Sequence, residues 1–531
     1  MYHLVYHSIL WIIGYIGLTK IFSNFIMAKY NIQNYIIKDR QMEKDTFGDI
    51  LKKYINESGF NIYQFSKATG INRVSLQRYI TNKRFPSPDV FDVILKKLQL
   101  QFIEKEEFKK NYEIHNIGKP LYFQRLFIKN LIENFSKLNI DKSNEYPDFI
   151  IDFSKIPENS IFNIYTKPDI FNILFLEFKR TLQTKKKVSL SLFLPSELSS
   201  EYLNYMLTAV PATPKQEINI TQIFSITKQS INSHETQNYN LKMLGACLPF
   251  CFSSQFFYQA YFYYGSYDEK TTIGLLFPYY VIFNDTVMIL SSDLETAILC
   301  KSQLFVNSYK TEFYNHLIKC QIFVQTAGNY NDYYMQFLTK ADYGEQEYWF
   351  KHQPCILSVA NLELLNAFLC KDIDNREYIL NLIKKRINKL PNSSENLYHF
   401  FTEKGLIEFI ETGISTDLPP INTRIIPIPL RLSLIKKLKD VCKSDQQLLR
   451  IINHKNLKAP DCYFIQLANN QVNIINYTNS WKILSISETG IYYAFLDFIS
   501  YLPTSQYVYS KDETLAILDK HISTLNSKLI N

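Results

Sequence analysis

Two hydrophobic rhythms divide this chain. Between residues 47 and 98 apolar positions recur at helical spacing: Phe47, Ile50, Leu51, Tyr54 and Ile55, then Phe65, Ala68 and Leu76, then Val90, Phe91, Ile94, Leu95 and Leu98. Recurrence at three and four residues sets side chains on one helix face, so a compact bundle of short helices is predicted. A helix over about 121–138 follows the charged stretch EKEEFKKN. Further on, alternating and continuous apolar runs take over. Residues 188–194 (VSLSLFL) and 218–226 read as strands, 201–210 as a helix, 227–239 as a polar loop. A helix carrying Cys247 and Cys251 and a Tyr/Phe-rich strand near 255–264 come next.

Two later stretches share a plan. Residues 279–290, YYVIFNDTVMIL, read as a hairpin turning at Asn284 and Asp285 and leading through Ser291, Ser292 and Asp293 into a helix. Residues 463–477, YFIQLANNQVNIINY, turn at Asn469 and Asn470, then lead through a strand at 481–486 into a helix from Gly490. The recurrence predicts two related hairpin-helix halves. Between them a helix ended by Gly413 leads through a Pro-rich crossing to a basic helix at 431–439. The expected fold class is therefore multidomain, an all-α domain followed by a large α/β (α+β) region.

The richest local pattern is residues 61–87, NIYQFSKATGINRVSLQRYITNKRFPS. Gly70 supplies a turn that needs positive φ, and Asn72 can N-cap the next helix. That helix, about 73–80, exposes Arg73, Val74, Ser75, Gln77 and Arg78 around a buried Leu76. Arg and Gln are suited to bidentate contact with base edges in a major groove. Asn82 can take the left-handed conformation that stops the helix, with Lys83 and Arg84 next. From Ile71 to Lys97 six Lys/Arg face two Asp.

Residues 43–100 thus resemble the XRE (Cro-like) family of helix-turn-helix regulators, over less than a fifth of the chain. The resemblance implies a DNA-binding domain in which Ile71 packs, Asn72 caps, and Arg73, Val74, Ser75, Gln77 and Arg78 read bases. Asn61, Gln64, Lys83 and Arg84 are then expected at phosphates. The chain departs from the family pattern at Ile62, where Gln is frequent, at Ile80, where an acidic residue is common, and at Asn82, where glycine is usual. Such modules act as dimers on double-stranded DNA, so a homodimer is expected. The 279–290 unit resembles the hairpin and helix of phospholipase-D-like sensor domains without their paired H-x-K residues. Residues 401–431 resemble a segment of long helix-turn-helix proteins of unknown effector from AT-rich Firmicutes.

Composition changes this picture little. In 531 residues, 46% are apolar and only 14 are Gly and 19 Pro, which excludes a disordered chain. The abundance of Tyr, Phe, Ile, Asn and Lys fits an AT-rich genome, and a formal charge of +8 is mild. Eight cysteines without C-x-x-C or a paired Cys/His spacing read as reduced thiols, with no metal and no cofactor expected. Dispersed histidines and the absence of a Walker loop, G-x-G-x-x-G, H-E-x-x-H or G-x-S-x-G leave no catalytic constellation, and the expectation is that the chain is not an enzyme. Lys185, Lys186 and Lys187 read as a solvated turn or an anion contact.

Residues 1–41 include an apolar run, LVYHSILWIIGYI, interrupted by His7, Ser8 and Gly14. Three readings stay open: a membrane anchor, an extra packed helix, or a stretch upstream of a start at Met42; the last is preferred. The expected division is 1–41 extension, 42–100 DNA-binding domain, 101–145 helical connector, 146–345 sensor half and 346–531 second half. The reading is a cytoplasmic, nucleoid-associated transcriptional regulator with a C-terminal sensing or dimerisation region and an unidentified effector. A membrane-tethered regulator and an enzyme targeted by its DNA-binding module are the alternatives.

Overall fold

The computed structural model describes residues 46–135, 162–194, 214–226, 234–265, 277–327, 346–361, 376–389, 397–417, 423–445, 447–477 and 482–530, with short pieces at 202–210 and 364–370. The readings of residues 1–41 lie outside the described residues, as does most of the helix read at 201–210. The chain is multidomain and α+β, with a helical N-terminal region and two mixed sheets. It divides between Tyr122 and Phe123 into two compact units.

The first unit contains α1 (Phe47–Glu57), α2 (Ile62–Thr69), α3 (Arg73–Ile80), α4 (Pro88–Lys97) and α5 (Phe102–Ile117). Its core is aromatic. Phe47 stacks on Phe108 at 5.5 Å between centroids, and Phe91 on Tyr112 at 3.8 Å. Phe47, Leu51, Ile55, Phe65, Leu76, Ile94 and Phe108 are fully buried. Burial of each such side chain stabilises by about 1.5–3 kcal/mol. Helix α6 (Lys119–Glu133) crosses the division, and from Phe123 onward the chain belongs to the second unit.

The second unit is built on two sheets. One has the strand order β1-β7-β6-β5-β2-β3-β4-β8, and the other β12-β11-β10-β13-β14-β15-β9. The strands of the first are β1 (Phe162–Thr166), β2 (Lys187–Phe193), β3 (Glu217–Ile226), β4 (Phe257–Tyr264), β5 (Tyr279–Ile282), β6 (Val287–Leu290), β7 (Thr296–Cys300) and β8 (Gln321–Ile322). Those of the second are β9 (Gln325–Ala327), β10 (Glu347–Phe350), β11 (Leu397–Thr402), β12 (Leu448–Ile452), β13 (Tyr463–Ala468), β14 (Gln471–Asn476) and β15 (Lys482–Ile486). Taken from its β9 edge, the second sheet repeats the first. In each, three parallel strands (β2, β3, β4; β10, β11, β12) are joined on one side by an antiparallel hairpin (β5, β6; β13, β14), a third meander strand (β7; β15) and an antiparallel edge strand (β1; β9).

The helices obey the same repeat. Helix α7 (Lys167–Thr184) joins β1 to β2, α8 (His234–Phe252) precedes β4, and α9 (Gln303–Leu317) follows β7. In the second half α10 (Arg376–Lys389) precedes β11, α11 (Glu403–Thr412) and α12 (Ile428–Lys443) precede β12, and α13 (Thr489–Tyr501) follows β15. A last helix, α14 (Lys511–Ile530), lies on α12. The largest core joins one face of each sheet through α7, α8 and α13; a second joins the other face of the second sheet to α10, α11, α12 and α14. The outer face of the first sheet carries a small core with α9.

Two expectations are corrected here. After Leu290 the chain enters β7 rather than a helix, because Ser291, Asp293 and Glu295 form a tight turn (Ser291 Oγ to Asp293 Oδ1, 2.6 Å) that returns it to the sheet. Helix α8 already begins at His234, inside the stretch read as a loop on polar composition alone. The second hairpin matches its expectation: Asn469 and Asn470 hold φ of 52° and 57°, the left-handed pair that a two-residue turn requires.

Candidate nucleic-acid interface

The first unit orients one exposed helix. Asn61 N-caps α2 through a reciprocal box, its Oδ1 accepting from Gln64 N at 2.9 Å and Gln64 Oε1 accepting from Asn61 N at 3.0 Å. Gly70 ends α2 at φ 70°, and Ser66 Oγ donates to Ile71 O at 2.6 Å across the turn. Asn72 Oδ1 then accepts from Val74 N at 2.8 Å to open α3. Leu76, Tyr79 and Ile80 face inward, leaving Arg73, Val74, Gln77 and Arg78 exposed and Ser75 half-buried. Val74, 60% exposed, is an apolar side chain among cations.

The end of α3 is clamped. Asn82 has φ 54°, its Oδ1 accepts from Gly48 N at 2.9 Å, and its Nδ2 donates to Thr46 Oγ1 at 2.6 Å. A Cβ on Gly48 would lie 2.1 Å from Ile80 O, so only glycine allows this crossing of α1 and α3. Thr46 also boxes α1 with Asp49, whose carboxyl these hydrogen bonds hold below its ordinary range. Sequence reading gave Asn82 only a helix-stopping role; its spacing from Thr46 and Gly48 carries no local signal. Lys83 and Arg84 follow, their N–H groups bonding Arg78 O at 2.9 and 3.2 Å, with both side chains exposed.

Charge along the helix-turn-helix segment has one sign. From Ser58 to Pro88 there is no Asp or Glu, against Lys67, Arg73, Arg78, Lys83 and Arg84. On the outer side of α2 the Lys67 ammonium lies 4.7 Å from the centroid of the exposed Tyr63 ring, a pairing sequence reading passed over although its i,i+4 spacing was visible. Asn61 and Gln64 are exposed on α2, and Arg73, Gln77 and Arg78 on α3, within one continuous helix-turn-helix.

Ionisable groups elsewhere are mostly engaged in structure. Lys185 pairs with Asp285 at 3.0 Å and Lys187 with Glu217 at 2.9 Å. Burial pushes the Cys247 thiol up to about 12 and the Cys251 thiol well above its usual value, so neither is poised as a thiolate. One cluster joins residues far apart in sequence at the carboxyl ends of β10 and β11. His352 bonds Glu408 at 2.9 Å and Thr402 Oγ1 at 3.0 Å, and Lys404 pairs with Asp461. Beside it the buried Lys351 pairs with the buried Asp417, which also accepts from Leu357 N at 3.0 Å. Among the described residues no group of three His, Cys, Asp or Glu could hold a metal ion, and no helix is long and apolar enough to cross a membrane.

No family model matches the chain, and no curated protein matches it. Several solved structures are similar to it at low level, three of them as follows. One is TrmBL2, an archaeal chromatin protein with a novel mode of DNA binding: 14% identity, 52% of this chain and 99% of that one covered, TM-score 0.21. Phosphatidylserine synthase of Haemophilus influenzae shares 8% identity over 70% of this chain and 94% of that one, TM-score 0.21. Polyphosphate kinase of Porphyromonas gingivalis shares 8% over 69% and 56%, TM-score 0.17. At these scores none carries an argument about what the chain binds or does. The expectation that the chain is not an enzyme is withdrawn: it rested only on a missing sequence constellation, and structures of enzymes are among those similar to the chain.

Proposed function

We propose that residues 42–100 bind double-stranded DNA as an XRE-like helix-turn-helix and that the chain is a transcriptional regulator acting as a homodimer. The observation that carries the reading is α3 itself, capped at Asn72 and clamped at Asn82, with Arg73, Val74, Gln77 and Arg78 exposed in an acid-free segment. Arg73, Val74, Ser75, Gln77 and Arg78 face base edges, and Asn61, Gln64, Lys83 and Arg84 face phosphates. Residues 101–145 connect this domain to a sensor half, 146–345, and a second half, 346–531, which sense an effector or dimerise. The test is selection of bound sites from randomised duplex DNA by wild type and by an Arg73→Ala/Arg78→Ala variant. A palindromic motif recovered by wild type alone supports the reading. Absence of enrichment by wild type overturns it.

A further inference from the structure

Helix α3 carries one side chain that its own fold does not explain. Val74 is 60% exposed at the second position of an eight-residue helix. A solvated position in so short a helix favours Ala, Lys, Glu or Gln; a β-branched residue there lowers helix propensity and, left in water, buries nothing in return. The other apolar residues of α3, Leu76, Tyr79 and Ile80, are all buried in the core of the first unit. Val74 alone among them is turned outward.

Its neighbours define what it can meet. Residues three and four positions on share its side of the helix, and these are Gln77 and Arg78; Arg73 precedes it. All three are exposed, and among the described residues their side chains have no hydrogen-bond or ion-pair partner. Donors suited to base edges therefore frame a pair of methyl groups. Asn72 Oδ1 accepts from the N–H of Val74 itself at 2.8 Å, so the cap fixes the backbone from which the side chain projects. In a helix Val χ1 is largely confined to one rotamer, and the two Cγ atoms are presented without the ordering cost of a long side chain.

We infer that Val74 reads the C5-methyl group of a thymine, which makes A·T the base pair that the first turn of α3 selects. The inference rests on the proposed DNA-binding reading and specifies its substrate. In a major groove thymine alone presents a methyl group among hydrogen-bonding edges. Against cytosine, whose N4 amine is a donor at that edge, Val74 offers no acceptor and strips water from the amine. Gln77, three residues on, is suited to the N6 and N7 of an adenine, so both side chains of this face favour A·T-containing sequence.

The experiment titrates the full chain against the duplex recovered by the selection above, with each thymine replaced in turn by uracil, which removes the methyl and keeps every hydrogen-bonding atom. For wild type, uracil at one position is expected to weaken binding about fourfold, the worth of one buried methyl-sized group. Val74→Ala, a change at an exposed position, is expected to bind the thymine duplex about fourfold more weakly than wild type and to lose the sensitivity to uracil there. Lys83→Ala should weaken binding to thymine and uracil duplexes alike and keep the difference between them. At the same position 5-methylcytosine should weaken wild-type binding less than cytosine does. A wild type that binds its selected site but is indifferent to uracil at every position, or a Val74→Ala protein that keeps the sensitivity, overturns the inference and leaves the DNA-binding reading standing. A wild type that enriches no site overturns both.

Discussion

Gly48 donates its backbone N–H to the Asn82 side chain at 2.9 Å, tying the start of α1 to the end of α3. The same asparagine occupies the left-handed region and reaches Thr46, so one residue stops the exposed helix and fixes its angle.

Asn82→Ala therefore removes two hydrogen bonds and leaves a Cβ residue at positive φ, a loss of about 2–4 kcal/mol. Asn82→Gly keeps the conformation and should lose about half of that. Hydrogen exchange of the α1 and α3 amides in the full chain reads both; equal protection in Asn82→Ala and wild type would refute the clamp. Gly48→Ala should be more severe than either, since its Cβ meets backbone.

Base readers and phosphate holders separate by specificity. Arg78→Ala should lose about 1–3 kcal/mol on a cognate site and relax sequence preference, while Lys83→Ala weakens all duplexes alike and lowers the salt dependence by about one counterion. Titration of cognate and scrambled DNA at two salt concentrations distinguishes them. Equal losses on both DNAs for Arg78→Ala would remove it from the base-reading set.

The pair Lys351 and Asp417 is desolvated on both sides, with side chains 5% and 2% exposed. Lys351→Met alone should destabilise the second unit by about 3–5 kcal/mol, because Asp417 is left buried without its cation. Lys351→Met/Asp417→Leu should recover much of the loss. Urea unfolding followed by tryptophan fluorescence, to which Trp349 contributes, provides the measurement.

His399 is fully buried, and desolvation, helped by the nearby Lys351 ammonium, lowers its pKa from 6.5 to about 3. Its Nε2 accepts from Cys355 N at 3.0 Å, a bond the neutral ring makes. Between those pH values the unfolded chain binds a proton that the folded chain refuses. Stability is then whole above pH 6.5 and falls as pH drops toward 3, by up to about 1.4 kcal/mol per pH unit. His399→Gln should flatten the dependence between pH 6.5 and 5, where carboxylates titrate little; an unchanged slope would assign the acid loss elsewhere.

What could be read beforehand was local. Asn469 and Asn470 announce a two-residue turn, Gly413 at φ 69° ends α11, and the strand read at 218–226 becomes β3. What could not be read depends on distance along the chain. Strand β7 is five residues, too short for periodicity to separate from a helix start, and its place is fixed by pairing with β1, whose Thr166 faces Thr296 across the sheet from far earlier in the chain. Likewise His352 meets Glu408, and Lys351 meets Asp417, only because β10 and β11 lie side by side. The exposed positions of α3 were readable because cap, turn and helix fall within about twenty positions.

The doubled sheet amounts to a substitution experiment already run inside one chain. At the corresponding hairpins YYVI and YFIQLA, then VMIL and QVNIIN, one backbone course is specified by different letters, and even the turns differ: paired left-handed asparagines in one, and in the other Asn284 stitched to Lys187 O and Ser189 N. Both copies keep the sorting of side chains between the two sheet faces. Grafting the Asn469–Asn470 turn between β5 and β6 would ask how much of that tolerance belongs to the loop and how much to the sheet that receives it.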